Sequence, residues 1–333
     1  MVRLNDRRML CLAAAVATLC VVSSASARVT GVPTAVARSV DAGRTIWVSL
    51  TDKGPEAYLR TLRVEDYVST RALERMRRRG GNPDPVQSFP LYAPYLTQLE
   101  ALGAEIVGES RWTNTVALRI RPDQLPAIAE LPFVSGLRPT ARLRQVEPVA
   151  EPIGVPLAKP AGTQQEGDVY SYGASRNQLA LLQIPTVHAL GLDGTGVRIG
   201  VLDTGFKIDN GVFDSLRLVP GGTWDFLNND SDVDDGEGGS ARHGTNVLSL
   251  LAGFVPGELI GAAPGAEYAL AKSEDISQEV YEEEVHWVEA LHWAVDSLGC
   301  DLVSSSLGYS NWYTDPAIFD GDSALSTVAA DLA

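Results

Sequence analysis

The strongest constraint on this chain is a run of mostly apolar residues that stops on an acid. Residues 197–202 read VRIGVL, and Asp203-Thr204-Gly205 follows at once. A strand this apolar on both faces belongs inside a parallel sheet with helices on either side. Its surroundings agree. Gly194-Thr195-Gly196 is a turn before it, helix signals run over 244–251, and 267–271 is a second strand candidate. Residues 280–298 predict an amphipathic helix with Val285, Val288, Leu291, Val295 and Leu298 on one stripe, and 302–305 predict another strand. Strands alternating with helices predict an α/β domain opening near Asn177. In such sheets ligands bind beyond the carboxyl ends of the strands, so Asp203 is a candidate site residue. A strand-end aspartate that only bonds the turn backbone is the structural alternative.

The first half reads differently. Strands are predicted at 45–50, 104–107, 115–120 and 133–137, and helices at 55–79, 92–102 and 122–131. That order is a split βαβ unit, a small α+β domain from about residue 40 to 140 with an insertion in its first helical region. The basic run Arg75–Arg79, closed by Gly80-Gly81, reads as a solvated helix end, where positive charge suits the helix dipole; a processing site is the alternative. From Gln145 to Asp168 the chain has Pro148, Pro152, Pro156 and Pro160 and no apolar periodicity, which predicts an extended linker.

The N-terminus reads as a targeting segment. Arg3, Arg7 and Arg8 precede an apolar run over 9–22, and Ala25-Ser26-Ala27 supplies a small-x-small cleavage site. The run is shorter than the roughly 20 residues of a stable bilayer span. Secretion, extracellular or periplasmic, is therefore expected. Cys11 and Cys20 would leave with that segment, and Cys300 reads as a small buried hydrophobe. A net charge of -15 excludes a nucleic-acid-binding role built on clustered basic residues.

His243, in Arg242-His243-Gly244-Thr245, stands at a predicted helix start. There it can donate one ring N–H to Asp203 and turn its other nitrogen to a cleft, the orienting-acid and general-base part of a serine triad. These residues also resemble a known family. Val201-Leu202-Asp203-Thr204-Gly205 is similar to the aspartate motif of the subtilisin-like serine proteases, and His243-Gly244-Thr245 with Leu251-Ala252-Gly253 to their histidine motif. Gly261-Ala262-Ala263-Pro264 resembles the segment that usually follows, and Ser306-Leu307-Gly308 the strand lining the substrate cleft. The α+β unit is similar, by element order, to the family's inhibitory propeptide.

The resemblance implies a secreted protease precursor acting on proteins or peptides, with its own propeptide as intramolecular inhibitor and no organic cofactor. Its expected organisation is signal peptide 1–27, propeptide 28–143, linker 144–176 and the N-terminal half of a catalytic domain 177–333. The fold implied is α/β, an incomplete subtilisin-like parallel sheet with flanking helices after a ferredoxin-like α+β domain. Asp203 and His243 would be catalytic, and Ser306, Leu307 and Gly308 substrate-binding. The family's serine follows Gly-Thr, but none of the Gly-Thr pairs at 162, 194, 222 and 244 is followed by Ser, and the oxyanion Asn of an Ala-Gly-Asn motif is also missing. The expectation is a chain cut short before its nucleophile and inactive alone. A non-catalytic inhibitor or chaperone is the rival reading.

Other signals read as structural. The acidic stretch Asp230–Glu237 lacks the Gly and Glu positions of an EF-hand and reads as a solvated loop, with structural Ca²⁺ as the alternative. Glu279, Glu282, Glu283 and Glu284 suit a helix start, and would favour basic peptides if they bordered the cleft. His286, Trp287, His292 and Trp293 read as core contacts, since one helix cannot supply a di-iron ligand set.

Overall fold

Strand β1 (Ile46–Leu50) has no solvent face, and this decides how the two halves of the chain meet. Side chains alternate across a strand. Ile46, Val48 and Leu50 enter the first domain's own core, while Trp47 enters a core built mostly by the second domain. The computed structural model describes residues 31–79, 85–140, 164–234, 241–274, 282–306 and 325–333.

The first domain is an antiparallel sheet ordered β2-β3-β1-β4, with β2 at Glu105–Ser110, β3 at Thr115–Arg119 and β4 at Val134–Pro139. This is the strand order of a split βαβ unit, as the sequence predicts. Helices α1 (Thr34–Asp41), α3 (Ala93–Ala101) and α4 (Leu125–Ala129) supply Val36, Val40, Leu99, Leu125 and Ile128 to its core. The region read as one helix over 55–79 is two short turns, Glu56–Leu59 and Val64–Asp66, followed by helix α2 (Thr70–Arg78) capped by the Ser69 hydroxyl.

The second domain holds a parallel sheet ordered β8-β5-β7-β6: β5 at Arg198–Asp203, β6 at Arg217–Asp225, β7 at Glu267–Lys272 and β8 at Leu302–Ser305. Helices α5 (Arg176–Leu181) and α6 (Ile184–Ala189) precede it. Helix α7 (Arg242–Ala252) packs on the face carrying Ile199 and Val201. Helix α8 (Glu283–His292) packs on the face carrying Leu202, Ala269 and Ala271. The 280–298 helix of the sequence reading is thus α8 continued by a π-helical turn, Trp293–Ser297. Its stripe of Val285, Val288, Leu291 and Val295 is buried. Helix α9 (Leu325–Leu332) lies beside α8.

Residues 164–176, read from sequence as the end of the linker, pack on the second domain. Tyr172 is buried, Gly173 bridges to Leu259, and Ala174 N donates to Glu258 O at 2.9 Å. The predicted targeting segment and residues 144–163 of the predicted linker lie outside the described residues. Among the described residues no helix is long and apolar enough to cross a membrane.

Candidate active site

Asp203 is the last residue of β5, which runs between β7 and β8. It is fully buried. Its Oδ1 accepts the Thr204 backbone N–H at 2.7 Å, the Thr204 hydroxyl at 3.2 Å and His243 Nδ1 at 2.7 Å. The three donors converge on Oδ1 and hold the acid in one orientation, while Oδ2 is buried with no hydrogen-bond partner among the described residues. The aspartate therefore bonds the turn, as the structural alternative requires, and also holds the histidine.

His243 is the second residue of α7, and its side chain is 32% exposed. A carboxylate oxygen can only accept, so in a neutral imidazole this contact puts the proton on Nδ1 and leaves the lone pair on Nε2, the tautomer a general base needs. Local sequence sets the approach. A Cβ on Gly244 would stand 2.2 Å from Gly205 O and 3.0 Å from Asp203 Cβ, so only glycine lets the helix start this close to the strand end. Thr245 ties the same junction, its hydroxyl bonding Ala241 O and accepting from Lys207 N at 2.8 Å.

Ser306 follows β8 directly. Ser305 is registered with Leu202, so Ser306 emerges level with Asp203 at the carboxyl edge of the sheet, and it is exposed. Leu307 and Gly308, the other two predicted substrate-binding residues, lie outside the described residues. The same edge carries a buried ion pair that no local pattern signalled. Lys272 at the end of β7 reaches Asp225 Oδ2 at the end of β6 at 3.0 Å, and both are buried. Asp225 Oδ1 also accepts Leu227 N and Asn228 N at 2.8 and 3.1 Å, so this aspartate is a structural hub for the turn after β6.

Residues 194–330 match the subtilase family model, and residues 45–151 match the peptidase S8 propeptide domain model of Bacteroidota. The chain carries a propeptide domain and a subtilase domain. The curated relative pyrolysin of Pyrococcus furiosus is 34% identical over 109 residues, which is 33% of this chain and 7% of that protein. Fervidolysin from Fervidobacterium pennivorans, described as a keratinolytic enzyme related to subtilisin, superposes with a TM-score of 0.50 at 15% identity. That superposition covers 80% of this chain and 36% of fervidolysin's, and it bears on fold alone. The chain thus spans only a minor part of the length of either protein.

Several residues read as solvated or as helix-start charges lie in the seam between the two domains. Glu282 accepts from Thr45 Oγ1 at 2.8 Å and from Arg119 at 3.0 Å. Burial pushes its carboxyl up, but these bonds outweigh that and leave it below the ordinary range. Glu284 is fully buried, accepting Trp47 Nε1 at 3.0 Å and both the backbone N and hydroxyl of Ser326 at 3.1 Å. These acids grip the propeptide domain and helix α9, so their expected link to basic substrates has no support here. Glu279 lies outside the described residues. Arg75, expected in a solvated helix end, is buried across the seam, whereas Arg77 to Arg79 are exposed. His292 packs on Trp112 with ring centroids 3.7 Å apart and the rings tilted by 45°, and its Nε2 lies 3.2 Å from Ser110 Oγ. Cys300 is buried, which pushes its thiol up to about 12 and keeps it unreactive.

In the acidic loop, Asp230 and Asp232 each accept the backbone N–H two residues on, at 2.9 and 3.0 Å. Residues 235–240 of that stretch lie outside the described residues. Among the described residues no group of three or more His, Cys, Asp or Glu side chains is placed to hold a metal ion.

Proposed function

We propose that this chain carries the propeptide and the Asp–His portion of a secreted serine-type endopeptidase that hydrolyses peptide bonds in proteins or peptides. The observation that supports it most is the 2.7 Å contact from His243 Nδ1 to the buried Asp203 carboxylate at the carboxyl edge of a parallel sheet. Asp203 fixes the imidazole tautomer and stabilises the imidazolium that forms. His243 Nε2 takes the proton of an attacking serine hydroxyl and later returns it to the leaving amine. Ser306, exposed and level with the dyad, is the first residue of the segment that would pair with a substrate's extended backbone.

No Gly-Thr pair in the 333 residues precedes a serine, so on this reading the nucleophile is supplied by residues outside them and the 333-residue polypeptide is inactive by itself. The propeptide domain acts as the intramolecular inhibitor. Reading the gene beyond codon 333 tests this. The expected result is a continuing frame that encodes an Ala-Gly-Asn segment and then Gly-Thr-Ser. An immediate stop codon would replace this reading with that of a non-catalytic inhibitor or folding chaperone.

A further inference from the structure

Besides the sheet face, the propeptide domain makes a second contact, through helix α2, and this contact meets a backbone feature. The π-helical turn after α8 ends at Ser297, and the chain reverses through Gly299 at φ +65° to enter β8 at Leu302. The last carbonyls of a helix have no partner within it and carry the negative end of its dipole. Here a guanidinium from the other domain meets one of them and a carbonyl of the turn that follows. Arg75 donates to Val295 O at 3.2 Å and to Cys300 O. Arg71 donates to Gly196 O at 2.7 Å and to the carboxylate of Asp301. The start of the helix docks as well, with Ser69 N donating to Asp296 O at 2.8 Å.

Both carboxylates that flank this turn are met by the propeptide domain. Asp296 is fully buried, and its Oδ2 accepts Arg111 and Trp112 Nε1, each at 3.0 Å. Asp301 Oδ2, besides Arg71, accepts Arg198 N at 3.0 Å from its own domain. The approach is close enough to fix the residue type at the reversal. A Cβ on Gly299 would lie 2.9 Å from Arg71 Cβ and 3.0 Å from Ser69 Oγ. Arg77, on the same helix, is exposed and takes no part.

We propose that α2 is a recognition helix through which the propeptide domain selects its own protease domain. The surface it fits is a helix C-terminus that turns through a left-handed glycine between two aspartates, read by Arg71, Arg75 and Arg111. The inference rests on the reading of the first domain as an inhibitor of the second. A sequence change in this turn, far from the catalytic dyad, would make a related protease a poor partner.

The test uses the full chain carrying one site-specific cleavage sequence inserted near Pro152, cut after folding so that the two halves are held only by their contacts. Dissociation of the halves is then followed. Arg75→Ala and Arg71→Ala are each expected to weaken association tenfold or more, with Arg77→Ala within twofold of the parent. Arg71→Asp is expected to do the same, and pairing it with Asp301→Arg is expected to recover part of the loss. Amide exchange on the uncut variants supplies a readout independent of the cleavage: faster exchange in 69–78 and 298–301, with the strands of both sheets still protected, supports the clamp. Less than threefold weakening in both arginine-to-alanine variants overturns it and leaves the proposed function standing. Parent halves that separate at once would overturn both.

Discussion

The two sheets solve the same burial problem in different ways. Among the described residues the parallel sheet has helices of its own domain on both faces: α7 covers the face with Ile199 and Val201, α8 covers the face with Leu202 and Ala271, and a buried Lys272–Asp225 pair lies at its carboxyl edge. Among the described residues, the antiparallel sheet has helices of its own domain on one face only. Trp47 and Ala117, on its other face, are buried in the cluster formed largely by α8. One domain therefore carries its site on a sheet with its own helices on both faces, while the other has one face of its sheet covered by its partner. A domain built this way would expose Trp47 and Ala117 if the partner's helix surface were removed.

Breaking each sheet separately sharpens that contrast. The largest effect is expected in the parallel sheet. Lys272→Ala leaves Asp225 as a buried carboxylate without its cation and should cost about 3–5 kcal/mol, seen as a fall in the urea midpoint. Trp47→Ala should cost about 3–5 kcal/mol, but as a loss of domain association, with amides of β5 and β7 remaining protected from exchange. Glu284→Ala removes the acceptor of Trp47 Nε1 and of Ser326 and should cost about 1–3 kcal/mol. If Trp47→Ala instead unfolded both sheets together, the two domains would be one cooperative unit and the contrast would fail.

The smallest expected effect is a pH dependence confined to the seam. Glu289 and His292 line a cavity of about 500 Å³ with Glu109 and Arg111. Burial pushes Glu289 up from 4.5 to about 7, against the opposing pull of the Glu109 backbone N–H that it accepts at 3.1 Å. The folded protein thus holds a proton there that the unfolded chain has released, and this contribution is lost as pH rises from 4.5 to 7. His292 is shifted the other way, lowered mainly by burial from an ordinary 6.5 despite neighbouring Asp296. Its contribution is present above pH 6.5 and is lost as pH falls below it. Glu289→Gln should therefore flatten the urea midpoint between pH 4.5 and 7, and a change of slope only below pH 4 would contradict the assignment to Glu289.

What was legible in the sequence follows from where the information lies. Asp203 and His243 each stand in a local frame, a strand end and a helix start, and short frames are readable from neighbouring residues. The order of strands and helices was readable for the same reason. Strand β6 was not, because Pro220-Gly221-Gly222 interrupts its pattern; its pairing with β7 shifts register between Leu218 and Thr223. Helix α1 has only Val36 and Val40 to mark its buried face. The seam was the least legible part. Arg75 meets carbonyls more than 200 positions away, and the Glu282 and Glu284 contacts span 237 positions. In sequence these residues look like ordinary helix ends, and only the packing of one domain on the other gives them partners.

The central claim is that Asp203 and His243 serve a serine nucleophile, and a serine-reactive fluorophosphonate probe tests it most directly. It would be applied to the 333-residue chain and to the same chain extended by whatever its gene encodes after codon 333. The account predicts no labelling of the shorter chain and labelling of one serine in the longer one, abolished by His243→Ala and cut about 10⁴-fold in rate by Asp203→Asn. Labelling of the 333-residue chain, or labelling of the extended chain that survives His243→Ala unchanged, would contradict it.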